Sequence, residues 1–260
     1  MSVLLVDIGN SRIKWARLES GRLGLGRAAS YLDWGTTDYR RRLFGRARGV
    51  ELVLVSSVAG PKANRLLTAA ARRAGARVKF VTVPRRGAGV TVGYAEPWRL
   101  GVDRFVAAVG AHALFPSVPV CVVGVGTALT IDLVGADGRH RGGVIIPGPT
   151  LMVETLLYGT HGIRRRARGG PAVVAGGSLF GRSTRAGVVQ GARHAAAATI
   201  DQAVEQARPL VGRAPLVVLT GGGAPAVRGL LRSHWVLVPD LVLRGLAVVR
   251  ASAAPKRRRT

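Results

Sequence analysis

Few residues of the chain are cysteine, acidic or aromatic. Its 260 residues include 1 cysteine and 13 acidic residues, and 5% of them are aromatic. A single cysteine, Cys121, excludes an internal disulfide and a cysteine-ligated metal cluster. The apolar residues around it predict a position in the core.

Long apolar runs are also absent. The longest ones, such as residues 119–125 and 215–219, have the length of a strand and fall far short of the roughly 20 residues that a membrane-spanning helix needs. The N-terminus lacks the basic region of a signal peptide, and Asp7 interrupts its first apolar run. We therefore expect no membrane segment and a cytoplasmic protein.

The scarcity of acidic residues leaves a formal net charge of +26, nearly all of it from arginine, since lysine occurs only at positions 14, 62, 79 and 256. The basic clusters at 40–42, 164–166 and 256–259 contain no interleaved aromatic residues on which bases stack. We interpret them as solvated surface and do not expect nucleic-acid binding. Binding of another polyanion is the alternative, because clustered arginines neutralise phosphates. The basic tail, residues 252–260, is expected to be disordered.

Apolar residues, by contrast, make up 48% of the chain, which is enough for the cores of two domains of about 100–150 residues each. In the first half, short apolar runs bounded by turn residues alternate with helical segments. This alternation is typical of an α/β fold with a largely parallel sheet flanked by helices. We expect strands at 3–6, 13–18, 52–55 and 78–83, a further strand after the turn at 20–21, and helices at 61–74 and 100–114.

The same pattern restarts near Pro119. Residues 6–11 and 123–128 both form a turn of small residues between two apolar strands. We interpret them as two copies of one unit, which predicts two like domains, 1–116 and 117–251, with mixed sheets and a cleft between them. Chance similarity of two short glycine turns is the alternative. The later strands are expected at 120–123, 129–134, 144–146 and 216–220, and the later helices at 185–207 and 241–251.

The two turns have a composition suited to binding phosphate. Glycine lets backbone N–H groups approach a phosphate closely, and a small polar side chain adds a donor. In the first turn, Asp7 supplies a carboxylate for hydrated Mg²⁺ and Lys14 supplies positive charge. The turn enters a strand, unlike a Walker A loop or a dinucleotide-binding glycine loop, both of which enter a helix. A plain hairpin without a ligand is the alternative for a single copy of this turn.

Several spaced segments carry a further pattern that spans nearly the whole chain. They are Asp7-Ile8-Gly9-Asn10-Ser11, Gly101-Val102-Asp103-Arg104, Gly126-Thr127-Ala128, Thr130-Ile131-Asp132, Gly142–Gly148, Thr220-Gly221-Gly222 and Pro239–Leu246. In this order they resemble the type III pantothenate kinase family. The resemblance implies an actin-like (ribonuclease H-like) two-domain fold of the acetate and sugar kinase superfamily, a homodimer, and transfer of phosphate from Mg-ATP to pantothenate in the first step of coenzyme A synthesis.

The resemblance also implies residue roles. Asp103 matches the general base of the family, which takes the proton of the pantothenate hydroxyl, and Arg104 would bind the pantothenate carboxylate or a phosphate oxygen. Considered without the family, an Asp-Arg pair that opens a helix is a cap and a surface ion pair. Gly101 and Val102 complete this segment of the substrate site.

Further residues are assigned to the two substrates in the same way. Tyr94 matches a tyrosine that lines the pantothenate pocket, with a loop aromatic packed on the core as the alternative. Thr184 matches a threonine that reaches pantothenate from the partner subunit, with a helix N-cap at Ser183 or Thr184 as the alternative. The ATP site is expected to comprise Asp7, Ile8, Gly9, Asn10, Ser11, Arg12, Ile13, Lys14, Gly126, Thr127, Gly221 and Gly222.

Two positions depart from the family pattern. The second phosphate turn of the family begins with an aspartate that contributes to a potassium or ammonium site, and Gly124 stands there in this chain. The Gly-Gly-Asp that follows the late strand reads Gly221-Gly222-Gly223, while Asp132 remains as a carboxylate further along the hairpin. These departures leave open an altered cation dependence, a weak kinase, or a non-catalytic regulator on the same fold. A kinase of another small hydroxyl-bearing substrate is a further alternative, because a fold does not determine its substrate.

Overall fold

The computed structural model of the protein describes residues 2–45, 49–168 and 178–253. The chain forms two compact units, Met1–Pro116 with Gly138–His140 and Asp240–Thr260, and Ser117–Asp137 with Arg141–Pro239. The sequence-based assignment of the closing helix to the second domain is therefore wrong. Most of the basic tail, from residue 254 onward, lies outside the described residues.

Thirteen strands and eight α-helices are found in the described part of the chain, together with a π-helical turn at Arg40–Phe44 and short 3-10 turns. In the first 116 residues these are β1 (Ser2–Ile8), β2 (Arg12–Glu19), β3 (Arg22–Leu23), β4 (Arg27–Ser30), α1 (Thr36–Tyr39), β5 (Val50–Ser57), α2 (Pro61–Arg73), β6 (Arg77–Phe80), β7 (Arg86–Gly87), β8 (Val90–Thr91) and α3 (Val102–Leu114).

The remaining elements follow the second apolar pattern. They are β9 (Val120–Val125), β10 (Ala128–Val134), β11 (His140–Pro147), α4 (Pro149–Gly159), α5 (His161–Arg166), α6 (Thr184–Val211), β12 (Leu216–Thr220), α7 (Ala224–Val227), β13 (Trp235–Leu237) and α8 (Leu241–Ser252). No helix in the described ranges combines the length and the apolar character needed to cross a bilayer.

The two main sheets have the same topology. The sheet of the first unit has the order β3-β2-β1-β5-β6, with β4 paired to β2, and the sheet of the second unit has the order β11-β10-β9-β12-β13. In each, a hairpin pairs antiparallel to the central strand, and the strands on its other side run parallel. The predicted mixed sheets and the internal repeat are confirmed by this correspondence.

Apart from Ser2 and Asp7, strand β1 is apolar because both faces of its sheet are covered. Leu4, Val6 and Ile8 point to a core that includes residues of α2, whereas Val3 and Leu5 point to a core shared with α3 and α8. Side chains alternate between faces along a strand. Asp7, which follows Val3 and Leu5 in this alternation, therefore lies on the face that α3 covers.

Helix α3, which carries the predicted catalytic segment, crosses α8 at glycines. A Cβ at Gly110 would lie 2.8 Å from the carbonyl oxygen of Leu241, and a Cβ at Gly245 would clash with the carbonyl oxygen of Val106. Only glycine permits so close an approach of the two backbones. The crossing fixes α3 against the sheet and so determines where its first turn lies.

Candidate active site

Three side chains form a row across the end of the first sheet. Lys14 is the cross-strand partner of Asp7 on β2, and Ser56 is its partner on β5. The buried Ser56 hydroxyl donates a hydrogen bond to Oδ1 of Asp7 at 3.1 Å. Ser56 was not identified from the sequence. It lies near the end of β5, which runs parallel to β1, and this position beside Asp7 is the signal that would have identified it.

The carboxyl group of Asp7 holds its proton more tightly than an ordinary aspartate. Its pKa is raised from 3.8 to about 6, chiefly by burial and then by the negative charge of Asp103, against the opposing effects of Lys14 and the Ser56 hydroxyl. Two carboxylates thus act on one another at the end of β1. A divalent cation offsets this repulsion, so the pair is chemically suited to hydrated Mg²⁺ that arrives with nucleotide phosphates.

Asp103 lies in the first turn of α3, two residues after the N-cap Gly101. A Cβ at Gly101 would lie 2.7 Å from Oδ1 of Asp103, so a side chain at position 101 would displace this carboxylate from its place over the helix start. Unpaired N–H groups at a helix N-terminus favour nearby negative charge. The N-cap position itself is held by Gly101, which has no side chain.

The other predicted substrate residues of the first unit lie together. The guanidinium of Arg104, which is 7% exposed, donates to the hydroxyl of Tyr94 at 3.2 Å. The Tyr94 ring is tilted against the buried ring of His140, with 5.5 Å between centroids. His140 was not foreseen as a neighbour of Tyr94, because it is distant in sequence and comes from the start of β11.

The first glycine turn closes β1 onto β2 through a hydrogen bond from the Gly9 N–H to the carbonyl of Arg12 at 3.0 Å. Ile8 and Ile13 are fully buried, so they anchor the turn, whereas Asn10, Ser11 and Arg12 are exposed. The hydroxyl of Tyr31 lies 2.6 Å from the carbonyl oxygen of Gly9, to which it donates. Tyr31 is a second residue that sequence patterns did not reveal.

Glycines of the second unit converge at the matching end of its sheet. The Gly126 N–H donates to the carbonyl of Ala128 at 3.0 Å, and the Gly148 N–H donates to the carbonyl of Thr127 at 2.8 Å. A Cβ at Gly148 would clash with the Gly126 carbonyl, and a Cβ at Gly221 would clash with the Val125 carbonyl.

This glycine-rich edge has the backbone exposure that phosphate binding needs. Gly221 also has a φ of +96°, which L side chains rarely adopt. Gly222 is exposed, and a Cβ there would meet no atom within 4 Å. One edge of the sheet therefore holds the predicted nucleotide residues Gly126, Thr127, Gly221 and Gly222. Gly148 lies at the same edge, because only glycine fits next to the Gly126 carbonyl.

The residue row of the first sheet has a neutral counterpart in the second. Gly124 pairs with Thr130 on β10 and with Thr220 on β12, in the register that Asp7 has with Lys14 and Ser56. A Cβ at Gly124 would lie 2.9 Å from Oγ1 of Thr130. The described residues contain no group of three or more His, Cys, Asp or Glu side chains suited to a metal ion.

Thr184 is the first residue of α6, in the second unit. Ser183 is the N-cap, and its hydroxyl accepts a hydrogen bond from the Ala186 N–H at 3.1 Å. The helix start is therefore satisfied by Ser183 and leaves the Thr184 side chain without a capping role.

The similarity to solved structures identifies the fold. A ROK family glucokinase from Streptomyces griseus, solved in complex with glucose and AMPPNP, matches with a TM-score of 0.52 at 13% identity, over 96% of this chain and 100% of that chain. Together with the repeated sheet topology, this match shows that the chain has the actin-like fold.

Sequence comparison then identifies the family. A family model described as type III pantothenate kinase matches residues 3–206. A protein of Nitrosococcus oceani named type III pantothenate kinase is 36% identical, over 99% of this chain and 97% of its own length. Another, from Stenotrophomonas maltophilia, is 38% identical over 95% and 96%. The chain belongs to the type III pantothenate kinase family.

Proposed function

We propose that this protein transfers the γ-phosphoryl group of ATP to the primary hydroxyl of pantothenate, giving 4′-phosphopantothenate in the first step of coenzyme A biosynthesis. The observation that carries the proposal is the interacting pair of carboxylates, Asp7 and Asp103, on one face of the first sheet. A phosphotransferase needs one carboxylate for Mg²⁺ and one for the attacking hydroxyl. The choice of pantothenate as the substrate rests on the names of the similar proteins.

In this proposal Asp7 and Lys14 serve the nucleotide. Asp7 would hold hydrated Mg²⁺ bound to the ATP phosphates, and the metal would neutralise the charge that develops on the transferred phosphoryl group. Lys14, across the strand from Asp7, adds positive charge. The turns at Gly9–Ser11 and Gly126–Thr127 present backbone N–H groups to the phosphates, and Gly221 and Gly222 border the adenosine.

Asp103 and Arg104 serve the second substrate. Asp103 orients the pantothenate hydroxyl and accepts its proton late in the transfer, since phosphoryl transfer depends chiefly on positioning and charge neutralisation. The planar guanidinium of Arg104 is suited to the pantothenate carboxylate. Tyr94 orients Arg104 through its hydroxyl, and its ring contributes an apolar wall.

A potassium or ammonium site does not fit the residues at position 124. The row Thr130, Gly124 and Thr220 contains no carboxylate, and the Thr130 hydroxyl occupies the space next to Gly124. A monovalent cation bound there would have only neutral oxygens as ligands. We therefore propose that turnover of this enzyme does not require potassium or ammonium.

A homodimer is supported by an apolar groove between α4 and α6. The groove encloses about 440 Å³, and its lining is almost entirely apolar. Gly187 and Gly191, one turn apart on α6, line it, and a Cβ at either position would meet no atom within 4 Å among the described residues outside the helix's own backbone. The described packing does not require glycine there, whereas a close-packed helix of a second copy would. A cytoplasmic location is proposed because ATP is the phosphoryl donor.

The test is pantothenate-dependent phosphorylation by the purified protein with Mg-ATP, with product detection by mass spectrometry. The assay is run with sodium, potassium and ammonium salts in turn. We expect 4′-phosphopantothenate at similar rates in all three, and none from the Asp103→Asn variant, which should retain ATP binding. A folded wild-type protein that forms no product in any salt would contradict the proposal and favour a regulator or another substrate.

A further inference from the structure

One arginine outside the predicted site holds the segment that carries Tyr94. The guanidinium of Arg85 donates through Nη1 to the carbonyls of Tyr94, at 2.6 Å, and Val92, at 3.4 Å, and through Nη2 to the carbonyl of Ala95. The Val92 N–H in turn donates to the backbone carbonyl of Arg85 at 2.9 Å. Four hydrogen bonds therefore connect Arg85 to residues 92–95.

The location of Arg85 explains how it reaches this segment. It immediately precedes β7, and Val92 immediately follows β8, so the two lie at the open end of the β7–β8 hairpin. Carbonyl oxygens of a loop have no partners in a sheet or helix and need other donors. A guanidinium can serve several of them at once, because its donors are rigidly spaced in a plane.

Residues on the far side of Tyr94 connect this support to the substrate site. The Tyr94 hydroxyl accepts a hydrogen bond from Nη1 of Arg104, and its ring lies against the buried His140. The segment that carries His140 is itself held to the hairpin, since the Thr91 N–H donates to the Gly138 carbonyl at 3.0 Å. Tyr94 is thus supported through its backbone by Arg85 and through its ring by His140.

The neighbouring Arg86 gives a direct contrast. It is also exposed, but it makes a single hydrogen bond to another side chain, from Nε to Oγ1 of Thr91 at 3.2 Å. It donates no described hydrogen bond to residues 92–95. Two adjacent arginines of the same hairpin thus differ in whether they hold the Tyr94 segment.

We infer that Arg85 is a positioning residue for pantothenate: it fixes the Tyr94 segment so that the Tyr94 hydroxyl sets the orientation of the Arg104 guanidinium toward the substrate carboxylate. The inference rests on the proposed function. Arg85 does not contact the reacting atoms and acts only through Tyr94 and Arg104. Its removal should therefore weaken binding of the acidic substrate and leave the phosphoryl-transfer step and ATP binding unchanged.

The experiment compares steady-state kinetics of wild type, Arg85→Met, Arg85→Lys and the matched control Arg86→Met. For Arg85→Met we expect the KM for pantothenate to rise about tenfold, with kcat and the KM for ATP within about twofold of wild type. Arg85→Lys should recover part of the loss, because an ammonium can serve one or two of the carbonyls but not all of them. Arg86→Met should behave as wild type.

Two further arms separate positioning from general loosening of the fold. An analogue with a neutral hydroxymethyl group in place of the carboxylate gives Arg104 no anion to hold, so its KM should be the same for wild type and Arg85→Met. In the double variant Arg85→Met/Arg104→Met, the effects on the KM for pantothenate should be less than additive, because both act through one contact.

The outcomes distinguish this inference from the proposed function. If wild type turns over pantothenate and Arg85→Met has an unchanged KM, or loses affinity equally for the neutral analogue, the inference is wrong and the proposed function stands. If Arg85→Met lowers kcat for every substrate together with its melting temperature, Arg85 has only a structural role. Absence of pantothenate turnover by folded wild type would overturn both.

Discussion

Asp7 is partly buried, and in the proposed function it must be ionised. Because its pKa is about 6, we expect kcat/KM for ATP to fall as the pH decreases through that value, since a protonated carboxyl group cannot hold Mg²⁺. The corresponding fall in kcat should occur at a lower pH, because bound Mg²⁺ favours the ionised form of Asp7. Rates between pH 5 and 9 test this prediction, and a flat profile through pH 6 would contradict it.

The same residue should lower the stability of the free enzyme. An aspartate whose pKa is raised in the folded state binds protons more tightly there than in the unfolded chain, so the free energy of unfolding falls as the pH rises from about 4 to about 6. Asp7→Asn should therefore be inactive and, at pH 7, more stable than wild type by about 1–3 kcal/mol. Urea unfolding at pH 4.5 and pH 7 gives both values, and at the lower pH the difference should shrink.

Gly124 offers a test of cation dependence. We expect Gly124→Asp alone to be poorly tolerated, because the new Cβ would lie 2.9 Å from Oγ1 of Thr130. Gly124→Asp combined with Thr130→Ala removes that contact and provides a carboxylate beside the phosphate turn. Its turnover should rise at least severalfold when potassium replaces sodium, with Thr130→Ala as the control. Equal rates of the double variant in both salts would show that this position does not form a cation site.

At the scale of elements, the glycine crossing of α3 and α8 places the catalytic helix. We expect Gly245→Ala to destabilise the protein by about 1–3 kcal/mol and to lower kcat, because the new methyl group pushes the helices apart near Val106. Gly159→Ala, a control in a helix where the added Cβ meets no atom within 4 Å, should change stability by less than about 1 kcal/mol. Chemical denaturation and initial rates measure both effects.

Elements with strong local patterns follow from the sequence, and those set by tertiary contacts do not. Strand β1 and helix α2 were predicted to within about two residues, because an apolar run and a proline at the helix start identify them. Helix α4 was not expected, although Pro149 follows Gly148, because its apolar residues do not follow a clear helical stripe. The short strands β7 and β8 carry no period at all.

The predicted site shows the same division. Asp7, Lys14 and Asp103 come from motifs, and the structure brings them into one group. Ser56 and Tyr31 contact Asp7 and the turn that follows it, while Arg85 and His140 contact Tyr94. The sequence context of these four residues is ordinary, because their roles depend on strand register and loop contacts. Motifs thus identify the residues proposed to contact substrates more readily than the residues that hold them in place.

At the scale of the whole molecule, two copies of one topology have come to carry different chemistry. The row Lys14, Asp7 and Ser56 of the first sheet is charged, while the corresponding row of the second sheet is neutral. The shared strand order preserves the glycine turn at the end of each central strand. In the proposed function, the first unit supplies the catalytic charge and the second unit supplies backbone contacts with the nucleotide.

The proposed dimer can be tested by filling the groove. We expect Gly187→Leu to give a monomer, because a leucine there occupies the groove that a second copy would use. Folding of the chain itself should be unharmed, since a Cβ at this position meets no atom within 4 Å and leucine favours helix more than glycine does. Light scattering measures the mass, with the exposed Gln202→Leu of the same helix as control. A dimeric Gly187→Leu would place the interface elsewhere.

If each active site of the proposed dimer contains residues of both subunits, two impaired variants should complement one another in mixed dimers. If Thr184 reaches the partner's pantothenate, Asp103→Asn and Thr184→Ala each impair both sites of their own homodimers. A mixed dimer then has one intact site, with the base of one subunit and the threonine of the other. After unfolding and refolding of an equimolar mixture, about a quarter of all sites should be intact. At low pantothenate the mixture should therefore exceed the mean rate of the separate variants, whereas a Thr184 that serves its own subunit gives no more than that mean.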